Sequence, residues 1–158
     1  MAPQLSRAPG PDNDWHAAHV ACLLASYQAL TGRELVPTGS SARSVFEAPF
    51  ALLSHGSEPD PLFNYANRTA LDLFELDWAA LIRTPSRASA EPLAQAAREQ
   101  LMQRVRSQGY IDDYRGVRIA ASGRRFTIEA ACVWNVTDTA GAFIGQAAHF
   151  AVWHPLAG

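Results

Sequence analysis

The last third of the chain changes period. Three segments, IDDYRGVRIAASG, RRFTIEAACVWNVTD and AFIGQAAHFAVW, alternate or run apolar and are rich in β-branched and aromatic residues, the pattern of strands. Ser122-Gly123 separates the first two, and Thr139-Ala140-Gly141 the second and third. Both breaks are hairpin-type turns, so the three strands predict an antiparallel meander.

What precedes the meander is mostly helical. Between Asp14 and Glu34, Val20, Leu23, Leu24, Tyr27 and Leu30 recur at steps of three and four and form one apolar stripe. Asp12, Asn13 or Asp14 is a candidate cap, and Gly32 stands where a helix stops. Phe50 to Leu53 reads as a short strand, and Glu58-Pro59-Asp60-Pro61 ends it because two prolines remove backbone donors. PLFNYAN reads as a second strand closing at Asn67, a natural N-cap for RTALDLFEL. DWAALIR is a further helical turn or two. A longer helix begins at Ser89 or Glu91, with Leu93, Ala97, Leu101 and Val105 at steps of four, and Gly109 ends it. The order is helix, two strands, a helical middle and three strands. That is an α+β plan, with a five-stranded antiparallel sheet, helices on one face and an N-terminal helix. Residues 1–12 read as a disordered tail, 13–43 as the N-terminal helix and a linker, and 44–158 as the domain proper.

Bulk properties exclude several classes. A chain of 158 residues suits one domain with a hydrophobic core. A formal charge of −2 gives no electrostatic case for nucleic acid or an anionic membrane. No apolar run approaches the roughly 18 residues of a membrane span, and the start has no secretory pattern. Cys22 and Cys132 make neither a disulfide framework nor a zinc site alone, which fits a reducing cytoplasm. All thirteen basic residues are Arg, read as a base-composition bias.

The wording of the blocks narrows the fold. FEAPFALLSHGSEPDPLFNYANRTALDLFE, TPSRASAEP, GYIDDYRGVRIAASGRRFTIEAACVWNV and GAFIGQAAHF, in that order, resemble the MEKHLA domain family from about Phe46 to Trp153. LLASYQALTGREL resembles that family's lead-in. The resemblance implies a PAS-like domain of the kind that stands alone in bacteria and also closes plant class III homeodomain-leucine-zipper regulators. The Met-Glu-Lys-His-Leu-Ala string of plant members is absent, as are a homeodomain and a zipper, so their transcriptional role does not carry over.

Candidate site residues follow from polarity in apolar surroundings. Trp134 and His149 lie on strands in the most apolar part of the chain, and each needs a partner if buried. Arg118 is a candidate for reaching into a pocket to hold a carboxylate. Asn67, and Tyr65 between Asn64 and Asn67, are further pocket candidates. His16, His19 and Cys22 have metal-ligand spacing, but on a helix they fan over roughly 120°, so no metal site is expected. Ser54 and His55 are strand neighbours that point to opposite faces, which is not a nucleophile–base pair.

Flavin-binding PAS light sensors carry an Asn-Cys-Arg-Phe-type motif, and nothing here matches it. They also place a Gln two residues after the Gly of a similar FIG. Here that position is Ala147, and Gln146 is expected across the pleat. Haem would need a His between Glu91 and Gln108, where none occurs. No cofactor is therefore expected. The sequence predicts a non-catalytic sensory, ligand-binding or protein-interaction module, with an unassigned small molecule or protein as partner. A homodimer through the first helix is expected, because its stripe must bury against its own sheet or a partner's. The alternative is a small cone-shaped isomerase or dehydratase of the NTF-like type, with His149 or His55 set against Asp112 or Asp113. Five antiparallel strands with the two N-terminal ones central would favour the PAS-like plan.

Overall fold

A computed structural model describes residues 7–90 and 95–156. Five helices and six strands follow one another as α1 (Ala17–Thr31), α2 (Ala42–Phe46), β1 (Ala51–His55), β2 (Phe63–Ala66), α3 (Arg68–Phe74), α4 (Trp78–Leu81), α5 (Gln95–Gln108), β3 (Tyr110–Ile119), β4 (Arg125–Thr137), β5 (Phe143–Phe150) and β6 (Val152–Pro155). Short 3-10 segments occupy Pro11–His16 and Ser86–Ser89. The sheet is antiparallel in the order β2-β1-β5-β4-β3. β6 pairs with the first half of β4, so β5 and β6 together run along most of its length.

The order corrects one sequence expectation. β1 is interior, but β2 lies at the edge and β5 is central. β1 gives one side to β5 and the other to its hairpin partner, which leaves β2 outermost. That edge is partly covered by residues 84–86. The Phe63 amide donates to the Thr84 carbonyl and the Ser86 amide to that of Pro61, a common way to blunt an exposed strand.

The turn chemistry works as the sequence suggests. Asn67 caps α3, accepting the Ala70 amide. Its carboxamide also accepts the Leu52 amide and donates to the carbonyls of Val45 and Phe50. One side chain thus ties α2, β1 and α3 together. Gly32 and Gly109 end α1 and α5 in the left-handed region that favours glycine. Asp138 accepts the amides of Ala140 and Ala142 in the β4–β5 turn.

Three details depart from the pattern. Residues 7–12, read as tail, are part of the described fold, and the His16 ring donates through Nε2 to the Arg7 carbonyl at 2.7 Å. Residues 1–6 lie outside the described residues. None of Asp12, Asn13 and Asp14 caps α1. Asp14, Trp15 and His16 all have positive φ, and this left-handed turn sets Trp15 against Phe46 and His16 against Tyr65 and Trp78. On α5, Leu101 and Val105 are buried as expected. Ala97 is exposed and Arg98 takes the buried position instead. Leu93, and a helix start at Glu91, lie outside the described residues, while Ser89 belongs to the 3-10 segment.

The two sheet faces have different covers. α1 packs on β4. There Trp134, with no exposed surface, donates its indole N–H to the Leu23 carbonyl at 3.1 Å and meets Tyr27 edge-on. Val20, Leu23 and Tyr27 are buried and Leu24 is half-buried, so most of the stripe is spent on the chain's own sheet; Leu30 is exposed. The opposite face, carrying Val133 and Ala148, lies against Leu101 and Val105 of α5. Ala130, at φ 52°, resets the pleat within β4. Cys132 and Trp134 pair with His149 and Ala147 on the α1 side, whereas Phe126 stacks on Phe74 of α3 on the other.

Histidines are concentrated under α1. His19 donates through Nε2 to Ser54 Oγ at 3.0 Å, and the Ser54 hydroxyl donates to Asn64. His149 sits among Tyr27, Phe50 and Trp134, and its Nε2 has no partner among the described residues. Burial pushes His19 and His149 each down to about 4, with a smaller push from the charge of His16 and of Arg33 respectively. His16 is lowered too, again chiefly by burial.

Two predictions follow from this interface. Trp134→Ala removes a fully buried ring and its hydrogen bond, so urea unfolding should show a loss of about 3–5 kcal/mol; unchanged stability would place the ring outside the core. A histidine whose folded pKa is depressed contributes fully above its unfolded value and less as pH falls toward the folded one. The melting temperature should therefore hold above pH 6.5 and decline toward about 4. His149→Leu and His19→Gln should each flatten that decline. If both variants keep the wild-type slope, carboxylates alone carry it.

Candidate functional site

Between α5 and the sheet lies a cavity of about 60 Å³. Its floor is Leu53 and His55 of β1, Gln146, Ala148 and Phe150 of β5, and Ile128 and Val133 of β4. Its roof is Arg98, Leu101 and Met102 of α5. Phe63, Phe74, Ser86 and Ser89 close one end and Tyr114 and Arg118 of β3 the other wall. A cleft of about 370 Å³ adjoins it, sharing Phe63, Phe74 and Ser89 and continuing past Ile119 and Ala120. The space exists because α5 meets small side chains, such as Ala148, where a larger residue would fill it.

The polar groups on the wall are few and specific. Arg98 is 7% exposed. It donates to Ser86 Oγ, and its NH1 reaches Glu99 at 3.5 Å, whose own side chain is 69% exposed. Burial, and then the like charge of Arg118, push the Arg98 guanidinium down from its ordinary value; it stays charged regardless. Arg118 stacks over the Tyr114 ring at 5.1 Å and donates to the Val117 carbonyl. Gly116 permits this arrangement, because a Cβ there would collide with the Tyr114 hydroxyl.

His55 Nδ1 donates to the Gly56 carbonyl at 2.9 Å, so Nε2 is the acceptor. That atom is buried without a partner among the described residues. Burial lowers the pKa of His55; the Gly56 hydrogen bond and Glu58 oppose it, and the charges of Arg98 and Arg106 add to it. Gln146 donates to Asn135 Oδ1 at 3.1 Å and Asn135 to the Val105 carbonyl, which pins α5 to the sheet. No Asp or Glu is on the cavity wall among the described residues.

Of the five sequence candidates, only Arg118 is on this cavity. Trp134 and His149 lie on the α1 side of the sheet, because the Ala147↔Trp134 and Cys132↔His149 pairs fix that phase. Asn67 is fully occupied as the α3 cap and latch. Tyr65 is buried beside His16 and His19, its hydroxyl without a partner among the described residues and its pKa raised by burial. Sequence reasoning missed Arg98 and Ser86 as wall residues and named His55 only as an acid–base candidate in the alternative reading. The signal for Arg98 was a charge adjoining the predicted apolar stripe of α5. Gln146 lies across the pleat from Ala147, as expected; because Ala147 pairs with Trp134 on the α1 side, that places Gln146 toward α5 and on the cavity. Gly145 has φ 150° and lies hard against the His55 carbonyl.

The enzyme-type pairs do not form. Asp112 is half-exposed and bridges to Arg33 at 3.1 Å, Asp113 is exposed, and His55 and His149 lie on opposite faces. Cys22 and Cys132 are both free and neither is on the cavity wall. Among the described residues no group of three or more His, Cys, Asp or Glu is placed to hold a metal, and no helix is long and apolar enough to cross a membrane.

Known proteins share this plan. A PAS domain of a protein from Colwellia psychrerythraea superposes with a TM-score of 0.60 at 12% identity, covering 73% of this chain and 92% of that one. The light-state dimer structure of the fungal blue-light photoreceptor Vivid gives 0.56 at 14%, covering 80% and 88%. The dark structure of the aureochrome1 LOV domain gives 0.55 at 16%, covering 79% and 89%. These likenesses establish a PAS-type fold and set aside the cone-shaped one. A search of curated sequences returns no match. The MEKHLA domain profile matches residues 17–155, taking in α1 as well as the sheet, and the chain therefore belongs to the MEKHLA domain family.

Proposed function

We propose that the chain is a non-catalytic sensory module that takes a small molecule into the cavity beneath α5. One observation carries this reading: an apolar cavity in the core holds a buried guanidinium, a buried histidine acceptor without a partner among the described residues, and the hydroxyls of Ser86 and Ser89. Buried polar groups are normally satisfied, and those that are not mark places where something else completes them. The output is a change in how α5 rests on the sheet, with the occupied state favoured by its extra bonds.

Blue-light photoreceptors among the structural neighbours raise light sensing as a second reading. It is disfavoured by two features of this chain. Both cysteines are off the cavity wall, and a three-ring flavin would require α5 to lift off a space of about 60 Å³. Acid–base turnover in the cavity is disfavoured because no Asp or Glu lines it among the described residues; Glu58, whose charge reaches His55, is not on its wall.

Native mass spectrometry of the purified chain should show a small-molecule adduct that is absent under denaturing conditions. Ala148→Met, which fills the floor, should abolish it. An adduct that persists in this variant, or a wild-type protein that is empty, counts against the reading. The same spectra report assembly. For a homodimer through α1, we propose that α1 of one copy covers β4 of the other, using the contacts it makes within one chain. A chain lacking residues 1–43 bares Trp134 and His149 and should aggregate or change its assembly state. If it stays soluble and folded with assembly unaltered, α1 has no such role.

A further inference from the structure

We propose that the cavity is a site for a small organic carboxylate, its head between Arg98 and Arg118 and its apolar body against Phe74 and Phe150. The inference rests on the ligand-sensing reading above and names the class of ligand. Two guanidinium groups line the cavity, Arg98 from the roof and Arg118 from the β3 wall, and no acidic residue lines it among the described residues. A cation taken out of water is costly unless it is paired. Arg98 is buried, yet among the described residues its sole ion pair is with Glu99, its neighbour in sequence, at 3.5 Å and mostly in solvent. Its other bond goes to a neutral hydroxyl, which leaves most of its five donors free for an anion.

Arg118 makes no ion pair among the described residues and is held by the Tyr114 ring and the Val117 carbonyl. Tyr114-x-Gly116-x-Arg118 thus works as a unit on one face of β3, the glycine giving room for the ring and the ring steadying the cation. A carboxylate offers two oxygens to two such forks, the strongest form of hydrogen bond a site of this kind can make. The remaining wall is aromatic and aliphatic, which suits a hydrocarbon body rather than a second charge. Its size limits that body to a short chain, and the cleft beyond Phe63 and Phe74 supplies the way in.

The test uses the full chain, with butanoate and hexanoate as probes, butan-1-ol and hexan-1-ol as matched neutral controls, and inorganic phosphate. Calorimetry and amide NMR should show the carboxylates binding, with shifts gathered on α5 and β3. Arg118→Gln should weaken them at least tenfold. Arg98→Met should do the same while melting no lower than wild type, since the isostere removes a poorly paired buried charge. Should Arg98→Met fail to fold, Arg118→Gln, at the less buried position, still decides. Alcohols binding as tightly as the acids, or both variants binding like wild type, would overturn the carboxylate head and leave ligand sensing intact. Preference for phosphate would overturn it likewise. If no probe binds, the carboxylate inference falls; an adduct in the native mass spectrum then preserves the sensing reading, and an empty protein removes both.

Discussion

The sheet has two apolar faces and one chain to cover both. Nearly everything else in the fold answers that constraint. One face is closed by α1 with aromatic edges: Tyr27, Trp134, His149 and Phe50 interlock there. The other is closed by α3, with Phe74 on Phe126, and by α5 over Val133 and Ala148, and the fit is incomplete. The dense side and the loose side belong to the same strands, so the cavity can exist without unravelling the domain. Stability is supplied on one face and space is left on the other.

The joint between these layers is local. Asn67 makes four side-chain hydrogen bonds to α2, β1 and α3, satisfying backbone groups that would otherwise be buried without partners. It also anchors the hairpin that carries His55. The Gly145 backbone lies against His55 from the neighbouring strand. The wall of the cavity is therefore set by backbone packing, with little freedom to drift.

Much of the fold was legible in the sequence because it rests on short-range chemistry. The meander, the Asn67 cap and the helix ends at Gly32 and Gly109 each depend on a few neighbouring residues. What escaped depends on residues distant in sequence or on exceptional backbone. The left-handed turn at Asp14 to His16 carries no glycine to announce it. The pleat reset at Ala130 puts Cys132 and Phe126 on opposite faces although both positions are even, so alternation alone misassigns them. Arg98 sits in the core where a hydrophobic pattern expects Ala97. Those same exceptions decide the candidate site: polarity pointed to Arg118, which lines the cavity, and to Trp134 and His149, which lie on the other face under α1. The family resemblance located the domain and could not choose a face.

β4 is also where both ends of the described chain attach. The α1 layer reaches it through Trp134, and β6 through the register from Phe126 to Glu129. The left-handed turn ahead of α1 means that tension on the N-terminal side is not carried along the helix axis; it is delivered sideways at His16 and Trp15. Tension on the C-terminal side falls on the short β6 ladder. A tether at the C-terminal side would thus load β4 directly, whereas one at the N-terminal side would first load Phe46, Tyr65 and Trp78 and reach β4, which also forms part of the cavity floor, only through α1.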